Sequence, residues 1–447
     1  MDLGIRIAGY WGRFWDICWC IKILEMMSMK NKKIICIIVA ISFVSLPVFP
    51  YAIPINLFAP YDVLIRPALL GSLTFSCAVT AQTLGHIHGF QCNDDTNHDS
   101  IKTNPMQLWQ DTQDGIAAFK GAPLGSGSFN YAQKLNWYDD NNVHGIFTPC
   151  GDFHVPVAIF GGFSWHIVPS TALTLYVPFY VMKLNTITWT EKHTHTSYED
   201  VLTPDLLGDV QTYGSLCLKN SWQRSGFGDA ALRLSWGRDF PQVRHMLRHV
   251  RTIIHGGLTF PTGRKADEDL PLAIPFGADG ALGLLFGGSI ELYFVHNMRL
   301  LCDVDFFQAM STTDCRRFKT DPAQTDLMFI NKVMCYKSPG FTQHFTVGLG
   351  RFWWQGKFSF DGAYQYTKHN DDTYYPCHTD VDQLWMNDSW SAREWTIHQC
   401  VFTAAYLGHN EPEDRWCSEC SLSYQYGFQG KRSLIGQGLS VRCAVIF

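Results

Sequence analysis

Over residues 438–447 apolar and polar positions alternate without a break. Leu439, Val441, Cys443, Val445 and Phe447 share one parity; Ser440, Arg442, Ala444 and Ile446 share the other. Side chains of a β-strand point to opposite faces with period two, so this stretch predicts a strand with an apolar face backed by a mostly polar one. Eleven earlier stretches read the same way, opening near Leu73, Val155, Leu173, Ala230, Val250, Leu282, Met298, Phe341, Phe358, Cys400 and Leu422. In the cleanest, Ala230, Leu232, Leu234 and Trp236 oppose Asp229, Arg233 and Ser235. In another, Met298, Leu300, Cys302, Val304 and Phe306 oppose Arg299, Asp303 and Asp305.

Twelve such strands make an even number, as a closed antiparallel ring with both ends on one side requires. The links between them alternate in length. Those after strands 1, 3, 5, 7 and 9 are long, the longest spanning about residues 85–152, whereas 166–170, 296–297 and 353–356 are short. Half-buried strands of a soluble sandwich also alternate, but a sandwich does not call for this order of links. The expected fold class is all-β: a transmembrane antiparallel up-and-down β-barrel of about 12 strands (12–14). Asp229, Arg233, Arg251, Glu291, Arg299, Asp303, Asp305, Lys357, Asp361 and Arg442 all fall on the polar parity of their strands and are predicted to line the lumen. Five acids against five bases point to cross-strand pairing rather than to a ring of one sign that selects ions. Ile253, Leu285, Tyr293, Leu301 and Phe307 share the inward parity. Apolar residues there either pack against a plug or line a greasy route. Arg351 breaks the pattern beside a turn, from which it can snorkel to the interface.

Composition agrees. The 447 residues are 46% hydrophobic and 14% aromatic but only 17% charged, and the mean hydropathy is −0.06. That is too polar for a helical membrane protein and suits strands with one lipid-facing side. A formal charge of −5 without a basic stripe predicts no nucleic-acid partner. Met29-Lys30-Asn31-Lys32-Lys33, the apolar residues 34–44 and a Pro-containing stretch ending at Ala52 read as a signal peptide over 29–52. The alternative is an N-terminal anchor helix over 34–49, slightly short of a span. Residues 1–28 read as an overextended start, and 53–447 as one barrel domain with long outer loops. The outer membrane of a bacterium is the expected location, with its lipid as partner; oligomeric state is not legible.

Ser225-Gly226-Phe227-Gly228-Asp229 leads into a strand, and Gly256-Gly257-Leu258-Thr259-Phe260-Pro261-Thr262-Gly263 and Phe276-Gly277-Ala278-Asp279-Gly280 follow. Across about 70 residues this order resembles the FadL-like outer-membrane channels for hydrophobic compounds and the barrels of aromatic-degradation pathways. A closing strand that ends in Phe likewise resembles bacterial outer-membrane barrels. The FadL-like family usually has fourteen strands and an N-terminal plug. The resemblance implies passive uptake of small, hydrophobic solutes with no cofactor.

Other chemistry is sparse. His86-x-His88 with Cys92, His193-x-His195 and Cys417-x-x-Cys420 have ligand-like spacings without a complete tetrad, so neither metal nor catalytic residues are expected. Asp94-Asp95 and Asp371-Asp372 read as solvated turns. Cys77, Cys302, Cys400 and Cys443 fall on the lipid-facing parity; Cys92, Cys150, Cys217, Cys315, Cys335 and Cys377 fall in outer links and could pair in 15 ways. Residues 104–109 with 116–119 predict either a short helix folded into the lumen or a surface loop with an aromatic patch. The leading functional expectation is a small-solute channel. The alternative is a non-conducting surface barrel whose loops bind a host or envelope partner, and a lipid hydrolase comes third.

Overall fold

The computed structural model describes residues 75–92, 100–120, 145–168, 170–192, 205–377, 382–408 and 417–446, all within the unit Phe49–Phe447. The expectations for residues 1–52, Asp94-Asp95, His193-x-His195 and the terminal Phe447 lie outside the described residues. In chain order the strands are β1 (Phe75–Cys92), β2 (Ser100–Thr103), β3 (Gln113–Asp114), β4 (Ile146–Val168), β5 (Thr171–Glu191) and β6 (Trp222–Phe227). Next come β7 (Ala230–Pro241), β8 (Leu247–Phe260), β9 (Gly283–Phe294), β10 (Met298–Ala309), β11 (Thr312–Arg317) and β12 (Lys332–Ser338). The last are β13 (Phe341–Trp353), β14 (Phe358–His369), β15 (Thr373–Pro376), β16 (Trp395–Gly408), β17 (Cys417–Lys431) and β18 (Ser433–Ile446). The helices are α1 (Leu206–Gly214) and α2 (Gln383–Asn387), with short 3₁₀ turns between strands.

Twelve long strands form the wall, each antiparallel to its neighbours. The ring closes because β1 pairs on one side with β18, from Ser76↔Ile446 to Phe90↔Ser433, and on the other with β4, from Phe75↔Trp165 to Leu84↔Val155. Neither edge is left open. The pattern's twelve segments all become wall strands. Leu439 and Val441 point out and are 45% and 47% exposed, while Ser440 and Arg442 point in and are 6% and 7% exposed. Such an apolar exterior suits lipid, where every backbone N–H and C=O must be satisfied within the wall.

The structure shifts three boundaries. β4 and β5 run for 23 and 21 residues, about twice what a tilted crossing needs. The two ends of the expected first outer link, 85–92 and 146–152, are strand, so Cys92 and Cys150 sit in strands rather than in loops. Alternation fails to report this extension because the inward positions of β5 turn from polar Thr174 to apolar Tyr176, Tyr180, Met182 and Leu184. Second, the register slips between His154 and Val157, so Val155 is buried inside while Val157 faces out. Third, the fourth wall strand is broken. β6 pairs with residues 179–184 of β5 and β7 with residues 171–176, leaving the rungs around Pro178 unmade. Proline has no N–H to give; its carbonyl accepts from Gly228 N at 2.8 Å.

Apart from the single-residue link between β17 and β18, the short links gather at one rim with the start of β1 and the end of β18. Outward aromatics girdle that rim: Phe75, Trp165, Trp236, Phe240, Trp353, Trp354, Phe358 and Tyr406 are all exposed. Arg351 reaches over the Trp353 ring at 5.7 Å, the interfacial placement its parity break predicts. At the opposite rim β11, β12 and β15 form a separate small sheet. Val347, midway along β13 and 50% exposed, tests the lipid face. Val347→Arg is expected to destabilise the barrel by about 2–4 kcal/mol, read as a lower urea midpoint in lipid vesicles.

Candidate functional site: the lumen and its mouth

Near the short-link rim the inner face carries a continuous charged belt. Arg251 Nε donates to Asp239 Oδ1 at 2.8 Å, and the guanidinium groups of Arg251 and Arg299 flank Glu291 Oε2 at 3.9 and 3.7 Å. Arg299 Nη2 reaches Asp361 Oδ1 at 2.7 Å, and Tyr293 OH donates to Glu291 at 2.5 Å. Arg299 and Asp361 stand on β10 and β14, two strands apart, and touch over Gly350 of β13, where any Cβ would strike the Asp361 carboxylate. A second bridge follows the same plan further along the wall. His255 Nε2 pairs with Asp305 across β9 because Gly287 lies between them, and Arg233 Nη2 lies 2.8 Å from His255 Nδ1. His344 continues the band, bonded to Thr367 Oγ1 at 2.8 Å and Thr346 Oγ1 at 3.0 Å. Charge is thus inside and paired while the outer surface is apolar. The chain is a transmembrane β-barrel of the bacterial outer-membrane type.

Around the remaining arc four glutamines link head to tail. Gln82 Nε2 donates to Gln425 at 3.1 Å, Gln425 to Gln399 at 2.6 Å, and Gln399 to Gln365 at 2.6 Å. A cavity of about 40 Å³ borders this row, with Phe153, Phe160, Tyr180, Ile397 and Leu434 among its other walls. It has room for water and not for an aromatic ring.

At the long-link rim the chain folds inward over the opening. The link between β8 and β9 buries Leu272, Ala273, Ile274 and Phe276. Arg224 holds it by donating to Ala273 O at 2.8 Å and Ile274 O at 2.9 Å, and Trp222 Nε1 donates to Pro271 O at 2.8 Å. The first long link contributes too. Its 3₁₀ turn Pro105–Gln107 buries Met106, and Leu108 follows it into the same cluster as Phe153, Met182 and Leu184. Met106 and Leu108 of this segment thus fold inward at the top of the barrel, whereas Ile116, Ala118 and Phe119 pack against Leu206, Leu207 and Val210 of α1. Asp229 ties the mouth together. Its carboxylate accepts from Gly263 N at 2.8 Å and Ala278 N at 2.5 Å, and its own N–H donates to Phe276 O at 3.3 Å. The three glycine-rich motifs of the sequence therefore meet on one side chain, at the break between β6 and β7.

Behind these loops lies a cavity of about 210 Å³. Trp109, Leu218, Leu270, Leu272, Leu327 and Phe329 line one part. Charged groups line another: Arg316 pairs with Asp279 and, at 3.2 Å, with Glu268, and Lys337 pairs with Asp372 at 2.7 Å. Burial pushes the Asp279 carboxyl up, but Arg316 and Lys337 outweigh it and hold the group below its ordinary range. Leu272, Ile274 and Leu327 of this cavity and Phe153, Phe160 and Tyr180 of the smaller one belong to a single packed cluster.

No family model matches the chain, and no curated protein does. Among solved structures, the barrel is similar to an outer membrane channel from Pseudomonas putida F1, with 8% identity over 87% of this chain and 99% of that one and a TM-score of 0.46. It is also similar to the Ralstonia pickettii toluene transporter TbuX (9%, 89% and 95%, TM-score 0.30) and to a Pseudomonas aeruginosa FadL homologue (10%, 86% and 92%, TM-score 0.29). Likeness at this level says nothing of solute.

The sequence-derived candidates divide. Arg251, Glu291, Tyr293, Arg299 and Asp361 meet in the charged belt, and Arg233 and Asp305 meet through His255. Asp303 is buried on the same inner face. Arg442 Nη1 pairs with Glu419 at 2.5 Å. Ile253 packs on Ala172, and Phe307 packs on Ala281 and Ala309 with Leu285 against them. Leu301 is half-buried opposite Glu291. Asp229 clamps the link between β8 and β9. Lys357 does not join: it closes the turn after the 3₁₀ residues Trp354–Gly356 in a helical conformation and is exposed. His255, His344, the glutamine row and the mouth charges were not singled out from sequence. Inward-parity glycines between polar neighbours are the signal that could have found the bridges. No group of three or more His, Cys, Asp or Glu suited to a metal occurs among the described residues, and the Cys417-x-x-Cys420 spacing falls within β17.

Asp229→Ala is expected to release the link between β8 and β9. Loss of two charge-assisted bonds costs about 2–4 kcal/mol locally, and trypsin should then cut after Arg264 or Lys265 in folded barrels that resist it as wild type. Asp371, in the link after β14, offers a pH test. Burial, with Glu394 next, pushes its carboxyl up from the ordinary carboxylate range to about 7, against Arg393. The folded form holds the proton more tightly, so this contribution is full below about pH 4, declines as pH rises to about 7, and is level above. Amide exchange over residues 370–376 should therefore quicken, relative to its intrinsic rate, between about pH 5 and pH 8. Asp371→Asn should flatten the profile.

Proposed function

We propose that the barrel is a channel that passes small, largely apolar solutes across the outer membrane by diffusion. The observation that carries this reading is the mouth cavity of about 210 Å³, which shares one apolar cluster with the smaller chamber inside the wall. An apolar cavity of about 150 Å³ accommodates benzene, so the mouth has room for a ring with a small substituent. The chamber below does not, and passage requires its side chains to shift. The polar belts beyond it are hydrogen-bonded side chain to side chain, which disfavours a standing water column. The inward-parity residues named from sequence belong to this reading as the lining of the route, with Lys357 set aside.

The alternative of a sealed barrel that presents its loops to a partner draws on the small sheet of β11, β12 and β15, where Met334, Tyr336 and Tyr375 are exposed. Accumulation of labelled toluene by cells with an otherwise intact outer membrane separates the two. Expression of the chain should raise uptake, and Ala158→Trp, which fills the inner chamber, should remove about nine-tenths of the gain while the barrel stays heat-modifiable. Uptake equal with and without the chain would establish the sealed reading instead.

A further inference from the structure

Cys420 on β17 and Cys443 on β18 are direct register partners on the outward face, with Sγ atoms 3.2 Å apart. Directly opposed residues of an antiparallel pair have Cα atoms about 4.5–5.5 Å apart, inside the range a disulfide spans. Rotation of two side chains suffices to bring the sulfurs to bonding distance, with the backbone unmoved. The other cysteines of the wall and the small sheet lack this arrangement. Cys302 faces Val347 and Ile290, Cys400 faces Tyr364 and Tyr426, and Cys315 faces Met334. Cys77 is only a diagonal neighbour of Cys443, since Cys77 pairs with Val445 and Val79 with Cys443.

We infer that Cys420 and Cys443 form a cystine that staples the C-terminal strand to its neighbour. β18 is tied covalently to β17 at its first end, through the single linking residue Arg432. Its other end is held by backbone hydrogen bonds to β17 and β1 and by the Arg442–Glu419 ion pair, and the described ladder with β17 runs to Cys417↔Ile446. A bridge at 443 adds a covalent tie at that end. The oxidant is a protein or small-molecule disulfide of the bacterial envelope, which keeps exported thiols oxidised. One cysteine thiolate attacks that disulfide and releases one oxidant thiol. The second cysteine then displaces the other, so the Sγ–Sγ bond forms, the oxidant's S–S bond breaks, and its two sulfurs take up the two electrons and two protons. Thiolate chemistry needs water, so the bond forms before the strands are embedded. Afterwards lipid shields it from polar reductants.

The test uses the full chain, extracted from membranes without reductant, unfolded in iodoacetamide, digested and read by mass spectrometry. A linked peptide pair carrying Cys420 and Cys443, with neither alkylated, is expected. Prior reduction under denaturing conditions should convert both to alkylated forms, and reduction of the intact barrel in lipid should not. Cys443→Ala should make Cys420 fully alkylated, and wild-type protein alone decides the matter if that variant fails to fold. Alkylation of both residues in unreduced wild type, or a Cys77–Cys443 link in place of the pair, overturns the inference.

Discussion

A bilayer offers no hydrogen bonds, so a sheet that crosses it must leave no edge. Everything in this protein depends on that constraint being met where β1 lies between β18 and β4. With the ring closed, each residue acquires a definite side, and the alternation of the chain becomes a sorting of apolar groups to lipid and polar groups to the interior. The protruding β4–β5 hairpin, the aromatic rim and the inward-folded loops are all placed by that ring.

Closure creates a second problem. A narrow interior lined by acids and bases buries charge, and buried charge is costly unless it is paired. The wall solves this with glycine. Opposite charges two strands apart cannot meet over an ordinary side chain, but they meet over Gly287 and Gly350. The result is a set of bridges, His255–Asp305 and Arg299–Asp361, that run around the barrel and brace strands that share no backbone bonds. The glutamine row does the same work without charge.

The mouth shows how one residue can organise a large surface. Asp229 sits where Pro178 interrupts the ladder, and its carboxylate collects amides from the two ends of the link between β8 and β9. That link then carries Phe276 and its neighbours inward, against Tyr180 and the upper wall. A break in the wall and an apolar lid over the lumen thus arise from the same few atoms. The glycine-rich motifs look like simple turn signals in the sequence; in the fold they are the space that the Asp229 carboxylate occupies.

By itself the sequence determined the strand number, the side most wall residues face and the class of fold, because a period of two holds wherever a strand runs without a bulge. It also placed Arg251, Glu291, Arg299 and Asp361 on one face. It did not determine their partners, since pairing depends on register and on which strand lies between. Nor did it reveal the bulge that turns Val155 inward, the length of β4 and β5, or Lys357 as a turn residue. In each case alternation was lost or slipped by one residue, and only neighbouring strands could restore the count. The cavities and the Cys420–Cys443 contact were decided by tertiary structure alone, because they are made by residues whose nearness exists only once the ring has closed.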